Sequence, residues 1–473
     1  MSYLYVILAY LVILVLVGLY IGHRKVKNSE DFVVAGRSLP FIVLVGTLLA
    51  SWCGGGGVTG SPNVIHTYGP YVGIIHFLGP PLGIIALYFV AGKVRKSAKY
   101  TIPEIFEARY GKAGSMISAI CIILAYIGIS ATQFKAAGQI INVTTGMDQG
   151  LATVIAAVGI VILTVSGGMM TVAYTDALSA LLMVGGFLFA VPFLYSQVGG
   201  IGYAFTHLPE AKSSSTASLN LIQLLGYMVP SFFLILGDQN MMQRFSSAKS
   251  SDEAKKSNIG MFFGEVTVVT LTILVVTAAI FLIPEIPEGK TADTIIFQVA
   301  MGYLPFLFGG LLMAACVAFV ITTADSYLLS AATNITYDIW AKYMKKDASD
   351  KEKLTFLRVM VVAVAVIGCA LCMLFPSVLA VQMYSYSMYG AAITPALLCA
   401  LFSKKVTKAG GICGILAGGI STIIWDVALQ SPYGIKSAII TVPISLITIF
   451  VVSALTQSAG SMPIEDLYKD STE

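Results

Sequence analysis

The sequence predicts an all-α polytopic membrane protein with thirteen transmembrane helices. Of its 473 residues, 57% are hydrophobic and only 11% are charged, whereas soluble domains carry about 25% charged residues. A helix needs about 20 mainly apolar residues to cross a bilayer, and thirteen stretches of the chain are of this kind. Two of them contain residues that disfavour a continuous helix, which indicates that polar ligands bind inside the membrane.

The predicted helices follow one another along the whole chain. The first has no basic segment before it and no small-residue cleavage site, so we expect a membrane helix rather than a cleaved signal peptide. No polar loop is long enough for a separate soluble domain, so residues 1–473 should form one transmembrane domain. The predicted spans are 3–22, 39–68, 71–92, 114–143, 150–166, 171–196, 219–244, 259–283, 303–340, 355–375, 379–402, 409–428 and 435–456.

Lysine and arginine residues predict the orientation of the helices, because cytoplasmic loops carry an excess of them. With the N-terminus outside and the C-terminus cytoplasmic, 24 of the 28 basic residues fall in cytoplasmic loops, Arg109 and Arg244 among them. Three fall on the opposite side, and Lys135 lies within a span. The net charge of +4 therefore describes topology rather than nucleic-acid binding. We expect a multi-pass protein of the cell (inner) membrane, in contact with the lipid bilayer.

A run of four glycines, Gly54 to Gly57, interrupts the second span. Each glycine inside a helix costs about 1 kcal/mol relative to alanine, so the run should open the helix at mid-membrane. Unwound backbone in a bilayer is tolerated only where protein buries it or where it lines a polar cavity. Interrupted helices of this kind bind ions and substrates in secondary transporters.

Ionisable residues within the spans are few, and they mark functional sites because their burial is costly. The central ones are Asp176, Asp238, Asp325 and Lys135, an excess of two acids over bases. Protons or bound cations would neutralise this excess. Glu265, six residues into its helix, is expected to reach the cytoplasmic interface.

Hydroxyl groups beside Asp325 favour a metal cation over a proton. Thr322, Thr323 and Ser326 offer hard oxygen ligands, with no histidine or cysteine among them. Residues three or four positions apart share a helix face, so the carbonyl of Phe319 should lie beside the two threonines.

The opened helix would complete this site with carbonyl oxygens near Ala50 and Cys53. A carbonyl and two hydroxyls on one helix, together with these carbonyls, would suit a hard monovalent ion. The alternative is that the hydroxyls only bond back to carbonyls of their own helix.

A second interruption is predicted at the polar segment Gly237-Asp-Gln-Asn. Its helix runs opposite to the glycine-rich one, so one opened helix lies in each half of the chain. This pattern is typical of an inverted five-plus-five helix repeat with broken first and sixth core helices. The predicted parts are an extra N-terminal helix and loop (1–38), a first repeat (39–196), a second repeat (219–402) and C-terminal helices with a tail (403–473).

Asp238 is the candidate for binding a substrate amine, through charge-assisted hydrogen bonds. Lys135 leaves three alternatives open. The substrate is an amine or organic cation if Lys135 lies elsewhere, a zwitterion if Lys135 faces the same cavity, and a neutral solute if Lys135 pairs with Asp238. Further polar contacts to the substrate are expected from Gln239, Asn240, His76 and Gln133.

Three segments of the chain resemble the sodium:solute symporter family, which includes sodium-coupled glucose, proline and choline carriers. The segments are Ser51-Trp-Cys-Gly-Gly-Gly-Gly, Ser166-Gly-Gly-Met-Met-Thr-Val-Ala-Tyr-Thr-Asp and Thr322-Thr-Ala-Asp-Ser-Tyr-Leu-Leu-Ser-Ala-Ala. The similarity extends from Ser29 to the last span, and the three segments together are highly specific.

The resemblance implies a core of ten helices with a sodium site between the first and eighth family helices. The implied ligands are the carbonyls of Ala50, Cys53 and Phe319 and the hydroxyls of Thr322 and Thr323. Some members of the family have a second sodium site. In this chain it would consist of Asp176, Thr322, Asp325 and Ser326.

Within the family, the chain is most similar to choline-type carriers, which hold a quaternary ammonium group in an aromatic cage. Trp52 matches one position of that cage. Ile129 and Asp238 stand at other cage positions, so the cage is not intact and choline itself is in doubt.

The predicted function is sodium-coupled secondary active import of a small polar organic solute, an amine, organic cation or zwitterion, with one or two Na⁺ ions. Proton-coupled symport of a neutral solute is the nearest alternative. A channel or membrane-embedded sensor is a further one, although no pore ring and no signalling domain is evident in the sequence. An enzyme is not expected, since no nucleophile–base pair or catalytic metal site can be identified.

Overall fold

A computed structural model describes residues 2–25, 35–97, 101–166, 169–214, 216–217, 219–288, 291–372 and 377–457. Within these ranges the chain forms helices and connecting turns, without a β-strand. The loop predicted around residues 26–34, the Gly167-Gly168 pair and the tail from residue 458 lie outside the described residues.

The main helices are labelled α1 to α13 in chain order, and the second has two parts, α2a and α2b. They are α1 (Ser2–Lys25), α2a (Phe41–Trp52), α2b (Gly55–Tyr68), α3 (Pro70–Ser97), α4 (Ile102–Thr145), α5 (Gln149–Ser166), α6 (Met169–Val198), α7 (Leu221–Ser246), α8 (Ser251–Leu282), α9 (Phe306–Met344), α10 (Asp350–Cys372), α11 (Val378–Phe402), α12 (Lys408–Ala428) and α13 (Ala438–Leu455). Shorter helices are Ile201–Thr206, Glu210–Ser213 and Ile295–Gly302.

The length and apolar character of the helices support eleven membrane spans within the described residues. Ten are single spans, one of them (α7) with a short interruption, and the eleventh is the bent pair α2a and α2b. The apolar parts of α1 and α5, Tyr3–Gly18 and Gln149–Val165, are shorter than the 18 residues that define these spans. That α1 and α5 also cross the membrane, as the predicted total of thirteen spans requires, therefore remains a prediction.

The surface of the helix bundle is apolar, and many polar groups lie inside it. Leu181, Ile42 and Phe89 are 74%, 72% and 65% exposed, whereas Thr47 and Ser51 are fully buried. Large exposed apolar surfaces are rare on soluble monomers. The arrangement fits a lipid-facing exterior, with the polar residues available for an internal site.

The glycine run breaks the second helix, as the sequence predicts. Helix α2a ends at Trp52, and the backbone of Cys53 and Gly54 is extended. Helix α2b then begins at Gly55 and runs at 67° to α2a. The break is enclosed by α4, α8, α9 and α11, which all pack against one or both parts of α2.

Close packing explains three of the four glycines. A Cβ atom on Gly54 would lie 2.9 Å from the Thr323 methyl group, and one on Gly56 would lie 2.5 Å from the Gln382 side chain. Gly55 is equally crowded by Ala136, at 2.7 Å. Gly57 is different, because the nearest atoms to its Cβ position are 4.0 Å away. The run therefore permits close helix contact as well as interrupting the helix.

The second predicted interruption, in α7, is confined to one residue. Helix Leu221–Gly237 ends at Asp238, whose backbone is extended (φ −66°, ψ 123°), and a helix resumes at Gln239. The Asp238 carboxylate accepts a hydrogen bond from the backbone N–H of Asn240 at 3.2 Å. Asp238 thus caps the second part of α7 in the manner that aspartate favours at helix N-termini.

We predict that Gly54→Ala destabilises the protein by about 1–3 kcal/mol, the usual cost of overpacking a filled interior. Gly57→Ala is the matched control from the same run, and alanine there should be neutral or stabilising by up to about 1 kcal/mol. Thermal unfolding of the two purified variants in detergent measures the difference. Equal stability of the two variants would contradict the packing explanation.

Candidate functional site

Carbonyl oxygens at the end of α2a meet two threonine hydroxyls of α9. The Thr323 hydroxyl lies 3.3 Å from the Ala50 carbonyl, 3.4 Å from that of Ser51 and 3.2 Å from that of Cys53. The last carbonyls of a helix have no partner within the helix. The break therefore presents to α9 a group of carbonyl oxygens that lack the partners a continuous helix would give them.

Thr322 contacts both helices. Its hydroxyl lies 2.9 Å from the Ala50 carbonyl, 2.8 Å from the carbonyl of Ala318 and 3.5 Å from that of Phe319. Bonding within the helix, the alternative to a cation site, thus accounts for part of the Thr322 geometry. The three Thr323 contacts described above all cross to the other helix.

Acceptors outnumber donors in this cluster. Each threonine hydroxyl carries one proton and can satisfy one acceptor at a time, while the two hydroxyls together face five carbonyls. The C-terminal end of α2a adds partial negative charge. Hard, electron-rich oxygens of this kind suit a small monovalent cation better than a thiophilic metal.

Arg244 lies inside the protein, which corrects its predicted place in a cytoplasmic loop. Its side chain is 1% exposed, and its guanidinium donates to the Asp176 carboxylate at 3.3 Å and to the Ser326 hydroxyl at 2.8 Å. Further bonds reach Thr47 at 3.0 Å and the Asn240 carbonyl at 3.2 Å. The positively charged group is thus held from four sides.

The four residues implied for a second sodium site have different hydrogen-bond partners. Asp176 and Ser326 are joined by Arg244, while Asp325 accepts a hydrogen bond from Thr164 at 2.6 Å. Thr322 belongs to the carbonyl cluster at the break. The guanidinium of Arg244 thus contacts two of the four residues, and the second site stays a prediction.

Arg109 is a second correction to the count of loop charges. It is 1% exposed and donates to the carbonyls of Ala400 and Ser403 at 3.0 and 2.8 Å. Both arginines lie within helices close to predicted loop boundaries, which sequence reasoning places only within a few residues.

A small cavity lies beside the break, with Phe319 and Gly54 in its wall. Its volume is ≈ 40 Å³, room for a few water molecules at about 10–15 Å³ each. The Trp52 and Tyr386 rings meet there, with centroids 6.1 Å apart. The polar and aromatic lining residues include Trp52, Ser61, His76, Glu265, Gln382 and Tyr386.

Glu265 is the residue of this cavity that the sequence interpretation placed wrongly. It is 3% exposed, lies fourteen residues after the start of α8, and accepts hydrogen bonds from the Trp52 indole at 3.1 Å and the Cys53 thiol at 3.2 Å. Val268 and Thr272, on the same face of α8, also line the cavity. The signal was present in the sequence as a single carboxylate within an apolar helix.

His76 connects two elements of the cavity wall. Its Nδ1 lies 2.8 Å from the Tyr227 carbonyl, and its Nε2 lies 2.8 Å from the Ser61 hydroxyl. A carbonyl can only accept, so Nδ1 carries a proton that it donates to Tyr227. His76 is therefore a hydrogen-bonded wall residue that links α2b and α3 to α7.

Asp238 lies in a separate polar cluster, outside the lining of this cavity. Its carboxylate accepts hydrogen bonds from the hydroxyls of Tyr126 at 2.5 Å and Tyr327 at 2.8 Å. Tyr389 bridges the same interruption, donating to the Gly237 carbonyl at 2.9 Å. These neutral donors hold the carboxylate within the bundle and join α7 to its neighbours.

Gln133 and Gln239 have structural partners rather than places on the cavity wall. The Gln133 side-chain oxygen accepts from the backbone N–H of Gly55 at 2.6 Å and so caps α2b. Gln239 accepts from the backbone N–H of Ile102 at 3.2 Å and donates to Asn334 at 2.8 Å.

Lys135 does not pair with Asp238. Its Nζ lies 3.4 Å from the Cys372 carbonyl. Tyr126, which contacts Asp238, precedes Lys135 by nine residues on α4, about 13 Å along the helix axis. The alternative in which Lys135 neutralises Asp238 directly is thus absent from this conformation.

Comparison with known proteins agrees with this architecture. Residues 32–418 match the model of the sodium:solute symporter family. The high-affinity proline transporter PutP of Bacillus subtilis is 25% identical over 97% of this chain and 98% of its own length. The human high affinity choline transporter 1 is 27% identical over 87% of this chain and 74% of its own length.

A solved structure shares the fold. A Na⁺-coupled sialic acid symporter in a substrate-bound outward-open state aligns with a TM-score of 0.81 at 20% identity, over 96% of this chain and 98% of that one. These relatives are transporters, and the prediction that the chain is not an enzyme is confirmed. Because the family model matches more than half of its residues, the chain belongs to the sodium:solute symporter family.

Proposed function

We propose that this protein is a sodium-coupled secondary active symporter that imports a small polar organic solute by alternating access. The observation that carries the proposal is the meeting of the Ala50 and Cys53 carbonyls with the Thr322 and Thr323 hydroxyls at the break in α2. With the carbonyl of Phe319, these groups would hold one Na⁺ ion. Carbonyls and hydroxyls do not titrate near neutral pH, which favours sodium over a proton at this position.

Sodium would connect α2 to α9 and so control the shape of the neighbouring cavity. The cavity has room for water but not for a whole organic solute, so its walls must move before substrate can enter. An ion that bridges two helices favours the conformation in which its ligands are together. Sodium entry would thereby favour the substrate-binding form.

The sodium gradient can supply enough free energy for accumulation. One charge moving through 100 mV contributes about 2.3 kcal/mol, and a tenfold concentration gradient adds about 1.4 kcal/mol. Together they would concentrate a neutral solute roughly several hundredfold for each ion coupled.

The proposal also includes the repeat structure of the protein and its orientation in the membrane. Two inverted repeats, 39–196 and 219–402, would rock against each other within one transporter domain in the cell membrane, with the N-terminus outside and the C-terminus cytoplasmic. The single-residue interruption at Asp238, in the helix that corresponds to the broken α2, supports this relation.

One sodium ion per transport cycle is the stoichiometry we propose. The guanidinium of Arg244 already lies between Asp176 and Ser326, two of the four residues that would bind a second ion. A second cation there would meet a fixed positive charge and would lose two of its ligands.

The first prediction of this proposal concerns Thr323. Thr323→Ala should weaken Na⁺ binding at least about tenfold, or roughly 1.4 kcal/mol, because it removes an oxygen that three carbonyls surround. Thr323→Ser keeps the hydroxyl and is the matched control. Thermal stability of each purified variant, titrated with NaCl against KCl, measures the effect. Unchanged sodium dependence in Thr323→Ala would refute the site.

The second prediction concerns the number of ions. A ligand that binds only the native state stabilises it by RT ln(1 + [L]/Kd), so the unfolding free energy should rise by about 0.6 kcal/mol for each e-fold increase in Na⁺ at saturation if one ion binds. Chemical denaturation at a series of sodium concentrations, with total ionic strength held constant, gives this slope. A slope twice as steep would require a second ion and would contradict the role assigned to Arg244.

A further inference from the structure

We propose that Glu265 is the docking point for a positively charged nitrogen of the substrate, and that this nitrogen carries N–H groups. The inference rests on the proposed function, because it assigns the substrate class of that transport site. It gives Glu265 the role that the sequence suggested for Asp238.

Within the described part of the chain, no positively charged side chain lies next to the Glu265 carboxylate. The carboxylate is 3% exposed, and its two hydrogen-bond donors, the Trp52 indole and the Cys53 thiol, are both neutral. Neither a lysine nor an arginine is found among the described residues that line the cavity. A carboxylate removed from water is costly unless a positive charge accompanies it. The cavity therefore favours a cationic group and disfavours an anionic one.

The neighbours of Glu265 favour an ammonium group over a metal ion. The groups in contact with Glu265 are an N–H and an S–H donor, whereas a hard metal ion needs several oxygen ligands. Such oxygens are collected a short distance away, around Thr323. The carbonyl cluster would thus bind Na⁺, and the position beside Glu265 would bind the organic cation.

The rest of the cavity wall contributes aromatic rings and a further hydrogen-bond acceptor. The aromatic pair Trp52 and Tyr386 lies beside the carboxylate, and aromatic faces attract cations, most strongly where water is excluded. The side-chain oxygen of Gln382 is buried without a hydrogen-bond partner. Together with Glu265 it provides hydrogen-bond acceptors in excess. A primary or secondary ammonium can satisfy them, whereas a quaternary one has no N–H to donate.

The named substrates of the relatives are informative here. Proline and choline both carry a positively charged nitrogen, which is secondary in proline and quaternary in choline. The acceptors around Glu265 favour the proline type. Both free amines and zwitterions such as amino acids belong to the proposed class.

The test uses the purified full-length protein in NaCl and a panel of paired probes. Each pair shares a skeleton and differs in N-methylation: ethanolamine and choline, glycine and glycine betaine, proline and proline betaine. Glucose and sialic acid serve as neutral and anionic probes. We expect the N–H member of at least one pair to raise the melting temperature more than its quaternary partner, and glucose and sialic acid to have no effect.

The variant Glu265→Gln keeps the shape of the side chain and removes its charge. It should weaken the apparent affinity for the stabilising ammonium probe at least tenfold while Na⁺ stabilisation persists. Glu253→Gln, a change of the same kind on α8 outside the cavity, is the control and should behave as wild type.

The proposal is overturned if only quaternary, neutral or anionic probes stabilise the protein, if no probe does, or if Glu265→Gln binds the ammonium probe as well as wild type. If Glu265→Gln cannot be purified, the wild-type panel decides alone. Sodium stabilisation without a response to ammonium probes refutes this inference and leaves the proposed coupling intact. Absence of any sodium effect in wild type refutes the coupling itself.

Discussion

The architecture of the site depends on one close contact, between the interrupted backbone of α2 and the Thr322–Thr323 turn of α9. A side chain at Gly54 would collide with Thr323, so only glycine lets the two elements approach. The same interruption frees the carbonyls of Ala50, Ser51 and Cys53 from helical bonding. The contact and the oxygen cluster therefore have one cause, and the cavity beside Trp52 lies where the chain turns by 67°.

The buried charges form a consistent account when Glu265 and Arg244 are included. The interior charges differ from the set that the sequence alone suggested, because Glu265 and Arg244 lie inside the bundle, as do Arg109 and Asp338. Arg244 pairs with Asp176, whereas the hydrogen-bond donors of Glu265, the Trp52 indole and the Cys53 thiol, are neutral. The proposed ammonium group would compensate the Glu265 carboxylate.

Sequence reasoning predicted the features that depend on local chemistry. Glycine disfavours a helix and threonine provides a hydroxyl wherever they occur in a fold. The sequence therefore predicted the break at Gly54–Gly57 and the threonine hydroxyls that face it. Arg244 and Glu265 were placed wrongly because their positions relative to the membrane depend on where each helix begins, which hydropathy gives only within a few residues. The assignment of Asp238 rested on its polar segment, whereas the tyrosines that enclose it come from α4 and α9, remote in sequence.

Arg244 has a consequence for how voltage acts on the transport cycle. It is covalently part of the protein, so its positive charge stays beside Asp176 when sodium and substrate have left. The ion pair carries no net charge, so the membrane potential would do no work on it whichever way the site faces. An ion at the carbonyl cluster has no such fixed partner of opposite charge, and the electrical work of the cycle would be done on that ion.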